Sequence, residues 1–66
     1  MNLKECIINN IECENIIAKA SEITSYSYIK ENGKLLLDID KILNKKVKTF
    51  TRIGNEKIII EYYLYR

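Results

Sequence analysis

The spacing of apolar residues changes several times along the chain, and each change predicts a change of element. In residues 3–10, LKECIINN, asparagines interrupt any helical stripe. Read as a strand, this segment sets Cys6 and Ile8 on one face and Leu3 and Ile7 on the other. From about residue 12, Cys13, Ile16, Ile17, Ala20 and the Ile23/Thr24 pair follow the i, i+3, i+4, i+7 rhythm of one helical face. Asn9 with Glu12 three positions later has the form of a capping box, and Glu12 and Glu14 suit the positive end of a helix. One continuous helix over residues 3–23 is the alternative, against which the Asn9-Asn10 doublet argues.

Residues 25–30, SYSYIK, alternate as a strand does, with Tyr26 and Tyr28 on one face. Asn32-Gly33 supplies the positive φ angles of a tight hairpin turn and leads into LLLDI as the next strand. Asp38 or Asp40 can then cap a short helix, KILNKKV, with Ile42, Leu43 and Val47 turned inward. Gly54-Asn55 marks another turn, and IIIEYYLYR is a strongly β-prone final strand. Before it, VKTFTRI reads either as a strand paired through Gly54-Asn55 or as an irregular connection. The order is therefore β-α-β-β-α-β. The expected class is α+β, a small antiparallel sheet of about four strands with one main and one short helix on one face.

Composition narrows the function more than it identifies it. Sixty-six residues make a single domain, 1–66, too small to enclose a deep active site with a supporting shell. The apolar fraction of 47% is enough to build a core, which excludes a disordered chain. Neither glycine lies in a phosphate-cradling motif. With no histidine, Cys6 and Cys13 lack both an activating base and the further ligands of a zinc site, so no catalytic residue, metal or cofactor is expected. Their expected role is as small buried apolar groups. The longest apolar run is broken by Glu61 and falls short of about 20 residues, so a cytoplasmic protein with reduced thiols is expected.

The segment KASEITSYSYIKENGKLLLDIDKIL resembles the HPr phosphocarrier family of the bacterial sugar phosphotransferase system. The likeness rests on Ala20-Ser21 near the end of a first helix, on Ile23, on the Gly33-Lys34 turn, and on a second helix opening with a polar-Ile-Leu sequence. It implies an HPr-like domain in which Asn9 stands where the family's phosphorylated histidine would be, so phosphoryl transfer is lost. The family's regulatory serine falls on Asp40 or Lys41, depending on a one-residue shift. The family's final helix is missing.

Two further groups of side chains invite a function. Lys45, Lys46, Lys48 and Arg52, with Lys41 beside them, can contact a polyanion, although the net charge is only +2. Tyr62, Tyr63 and Tyr65 suit a protein interface, and a homodimer can form through the C-terminal strand if it lies at a sheet edge. Asp38 and Asp40, the only aspartates, read as helix caps or solvated charges rather than as a catalytic or metal-binding pair. The expected function is that of a non-catalytic HPr-like protein acting through protein contacts, as a regulator. The alternative is a small dimeric, phage-type nucleic-acid-binding protein that uses the basic C-terminal half.

Overall fold

A computed structural model describes residues 1–36 and 41–65. The chain opens with helix α1, Leu3–Asn9. Its start is set by Asn2, whose side chain accepts from the Glu5 N–H at 2.9 Å while Glu5 Oε1 accepts from the Asn2 N–H at 3.0 Å. This reciprocal capping box satisfies two groups that a helix end leaves without partners. The next donors, the Leu3 and Lys4 N–H groups, bond the carbonyls of Lys45 (2.8 Å) and Leu43 (2.9 Å). Leu3, Cys6 and Ile7 form the buried stripe, at i, i+3 and i+4. The strand expected over residues 3–10 is thus a helix. The continuous helix over 3–23 does not form either, because Asn10 closes α1.

Five strands follow: β1 (Asn15–Ala20), β2 (Tyr26–Glu31), β3 (Lys34–Leu35), β4 (Val47–Ile53) and β5 (Lys57–Tyr62). They form one sheet in the order β3-β2-β1-β5-β4. β1 and β5 run parallel, with partners from Asn15↔Lys57 to Ala20↔Tyr62, and every other pairing is antiparallel. This corrects the expected main helix over residues 12–24. β1 is the central strand of the sheet, and its outer face, Asn15, Ile17 and Lys19, carries one apolar residue. Ile16, Ala18 and Ala20 are buried, while Ile17 lies on the opposite face. The spacing of Cys13, Ile16, Ile17 and Ala20 imitates a helix only because both faces contribute.

The short helix expected over residues 41–47 is also absent, since residues 41–45 form turns and a bend. A helix there would need the Leu43 carbonyl for the Val47 N–H. Instead Leu43 accepts from Lys4, and the Val47 N–H donates to Met1 at 3.1 Å. Docking α1 therefore uses the groups a second helix would require. Ile42, Leu43 and Val47 nevertheless pack against the core, as their apolar character predicts. The α+β class stands, but as one short helix on a five-stranded mixed sheet rather than a four-stranded antiparallel sheet with two helices.

The turns follow their residue chemistry. Asn32 and Gly33 both have positive φ (51° and 82°) between β2 and β3, as a two-residue hairpin turn demands. Gly54 (φ 54°) opens the turn between β4 and β5, and residues 47–53 form the strand that was one of two readings.

One face of the sheet carries the core. Leu3, Cys6 and Ile7 of α1 pack with Cys13, Ile16, Ala18, Ala20, Ile29, Ile58, Ile60 and Tyr62. In β5, Ile58 and Ile60 are fully buried, whereas Ile59 is half-buried on the other side. Ile60→Val should therefore lower stability by about 1 kcal/mol in urea denaturation, and Ile59→Val by clearly less. Asn2→Ala should cost about 1 kcal/mol by the same measurement, because it removes the cap of α1.

Candidate functional site

The face of the sheet away from α1 is organised by register into two rows. Tyr28, Ile17, Ile59 and Thr51 lie side by side across β2, β1, β5 and β4. Tyr26, Lys19, Glu61 and Thr49 form the next row. No element among the described residues covers this face. Tyr26 and Tyr28 are 54% and 51% exposed, and Ile53 adds an exposed aliphatic side chain at the rim. The one ion pair on the face joins partners of the parallel ladder, with Lys19 Nζ 3.7 Å from Glu61 Oε2. Both side chains are half-buried, and at this separation the pair contributes modestly to stability. The face is thus an apolar and aromatic strip with a neutralised charge pair inside it.

The second open feature is the outer edge of β4, whose residues 48–53 are all exposed. The residue nearest its far end is already committed. Arg52 Nη1 donates to Asn10 Oδ1 (2.9 Å), Nε to the Gly54 carbonyl (2.7 Å) and Nη2 to Asn55 Oδ1. Nη2 also lies 2.8 Å from Glu12 Oε1. Asn10 is buried, and its amide nitrogen donates to the Cys6 carbonyl at 2.7 Å. Arg52 therefore clasps β4 to the end of α1 and to the following turn. The Glu12 carboxyl is held below the usual carboxylate range by its own backbone N–H and by the Arg52 guanidinium.

The residues singled out in the sequence are scattered by this geometry. Asn9, set where the HPr family carries its histidine, is the last residue of α1 rather than the first turn of a later helix. Ala20-Ser21, the anchor of that likeness, ends a strand. Asp38 and Asp40 lie outside the described residues, and Lys41 is an exposed residue of a turn. Of the four expected polyanion contacts, Arg52 is spoken for and Lys45 Nζ donates to the Leu64 carbonyl at 2.9 Å. Lys46 and Lys48 stay exposed with no carboxylate paired to them among the described residues.

The C-terminal tyrosines do not form one patch. Tyr62 is 5% exposed and belongs to the core, Tyr63 is half-buried, and Tyr65 is 78% exposed. β5 has β1 on one side and β4 on the other, so the expected edge pairing through the C-terminal strand has no free edge to use. Cys6 and Cys13 are both buried and unpaired, and burial raises the pKa of the Cys6 thiol. Among the described residues there is no enclosed pocket, and no three His, Cys, Asp or Glu side chains group to hold a metal ion. No helix among them is long and apolar enough to cross a membrane.

The uncovered pair Tyr26 and Tyr28 was visible in the alternation of SYSYIK; what sequence could not supply was which face lacks a cover. The Arg52 clasp had no signal at all, since Asn10, Glu12 and Arg52 are joined only by the fold. No family model, curated protein or solved structure matches this chain.

Arg52→Ala leaves the side-chain Oδ1 of buried Asn10 without its partner and should cost about 1–2 kcal/mol in urea denaturation. Glu12 gives a sign-specific pH effect. Its folded pKa is lower than its unfolded one, so its contribution is present above the unfolded value and is lost as pH falls through the folded value. The stability gap between the native protein and Glu12→Gln should accordingly be constant near neutrality and close in the acid range. Thermal unfolding measured at stepped pH checks this.

Proposed function

We propose that this chain is a non-catalytic interaction domain that docks a protein partner on the uncovered face of its sheet. One observation carries the reading: half-exposed Tyr26 and Tyr28 lie in register with Ile17 and Ile59 on a face that no described element covers. Tyrosine and aliphatic side chains on a rigid strand framework supply contact area at little entropic cost, and tyrosine is enriched in interface hot spots. The Lys19–Glu61 pair offsets the charge at the centre of the strip, leaving Lys57 beside Ile53 at its rim, which suits a partner with an apolar centre to its own surface. A reducing, cytoplasmic setting fits two buried thiols that remain unpaired.

A nucleic-acid-binding role is the second reading. Tyrosines spaced i, i+2 on an open sheet are suited to stack bases, and Lys46 and Lys48 are free to meet phosphates. It ranks below the first because Arg52 is compensated by Glu12 and Lys45 is engaged with the chain.

The double variant Tyr26→Ser/Tyr28→Ser separates the readings, since both side chains are exposed and the fold should persist by circular dichroism. In pull-downs from source cells, the protein-docking reading predicts a partner retained by the native chain, lost by the variant, and indifferent to nuclease treatment. Retention that nuclease abolishes would favour the second reading. Equal retention by native chain and variant would contradict both uses of this face.

A further inference from the structure

We propose that the outer edge of β4 receives an extended acidic segment of another protein as a sixth strand. This rests on the protein-contact reading but uses a different surface, so the two can fail separately. The sheet has two edges. β3 is two residues long and offers little to pair with, whereas β4 spans seven. At its start the Val47 N–H is taken by the Met1 carbonyl, and Asn2 bridges to Lys46. From residue 48 onward no strand lies beyond β4 among the described residues. Alternate backbone groups of an edge strand face outward and can accept another strand.

Edges of this length are commonly blunted by proline, by a covering element or by charge. The chain has no proline, and the devices present here are the irregularity between Val47 and Thr49 and the exposed cations. Thr49, Phe50 and Thr51 between them favour extended backbone. Phe50, 44% exposed and in register with buried Ile60, lies on the helix side of the sheet and extends the apolar core to the rim. An incoming strand would cover it.

Charge selects the occupant. Arg52 at the far end is balanced by Glu12, but Lys46 and Lys48 at the near end have no carboxylate partner among the described residues. A second copy is disfavoured, because β4 itself contains no carboxylate to meet Lys48 in any self-pairing register. Opposite charges across a ladder stabilise it and like charges do not. A strand with a carboxylate facing Lys48, just past the point where Asn2 lies alongside Lys46, and an apolar side chain beside Phe50, meets both the charge and the shape. Main-chain bonds would supply the affinity and the side chains the choice of partner.

The test uses the full chain and a fluorescein-labelled eight-residue peptide of alternating glutamate and valine. Its controls are the lysine–valine counterpart and the same glutamate peptide N-methylated at every second residue. Anisotropy titration should show the glutamate peptide binding, with at least about tenfold loss on N-methylation and on replacement by the lysine peptide. Amide shifts in a ¹⁵N spectrum should concentrate on residues 48–53. Lys46→Glu/Lys48→Glu, at two exposed positions, should reverse the preference towards the lysine peptide; the comparison of peptides on the native chain stands even if this variant folds poorly. No binding, or equal binding of the N-methylated peptide, would overturn strand addition. So would a single-stranded oligonucleotide that binds more tightly and displaces the peptide, or a dimer in sedimentation that masks residues 48–53. The Tyr26→Ser/Tyr28→Ser variant should bind the peptide as the native chain does, which keeps the edge distinct from the face.

Discussion

The parallel pairing of β1 with β5 is the constraint on which the rest of the molecule depends. It runs without a break from Asn15↔Lys57 to Ala20↔Tyr62 and places Ile16, Ala18 and Ala20 beside Ile58, Ile60 and Tyr62 on one face. Parallel neighbours cannot be joined by a tight turn, so the chain between them must travel back across the sheet. It does so by adding β2 and β3 on one side, meeting the N-terminal end of α1 through the turns at 41–45, and returning as β4 on the other side of β5. The covering helix has only seven residues, and three of them are buried. It covers part of one face, and Ile42, Leu43, Val47 and Leu64 pack against the core beside it.

That asymmetry links fold to function. A sheet covered on one side must either make its second face polar or find something to place on it. Here Tyr26, Tyr28, Ile17, Ile59 and Ile53 keep that face largely apolar, while Lys19 is paired with Glu61 on it and Lys57 lies beside Ile53 at the rim. The β4 edge carries further charge: Arg52 is absorbed by Asn10, Glu12, Gly54 and Asn55, and Lys46 and Lys48 are left over. The face and the edge are therefore chemically different surfaces, one suited to apolar contact and one to an extended acidic chain.

What could be read from the residues was local. Asn32-Gly33 and Gly54 mark turns because positive φ is a property of those residues, and SYSYIK alternates because only one of its faces meets the core. The errors arose where tertiary structure decided. Asn9–Glu12 has the form of a capping box, but the box that forms is Asn2–Glu5, because α1 can bury Leu3, Cys6 and Ile7 while its first N–H groups reach Leu43 and Lys45. Those carbonyls were then unavailable to a second helix. The apolar run of β1 looked helical because Ile17 on one face falls between Ile16 and Ala20 on the other, and the strand is fixed by pairing with β5, each partner 42 residues further along the chain. The basic residues near the end looked like one cluster, whereas the fold gave Lys45 to Leu64 and Arg52 to Asn10 and Glu12. The likeness to the HPr phosphocarriers rested on a helix ending at Ala20-Ser21, and that helix is a strand.

Native-state amide hydrogen exchange, resolved by residue, tests the account most directly, because protection reports which strands are interior and which edge is free. The slowest amides should fall in residues 16–20 of β1 and 58–62 of β5, with those of residues 12–14 exchanging faster. In β4 protection should alternate between 48 and 53, fast for the amides that face away from β5. Uniform protection along 48–53, or a continuous protected block over 12–24 of the kind a helix gives, would contradict both the central parallel pair and the open edge derived from it.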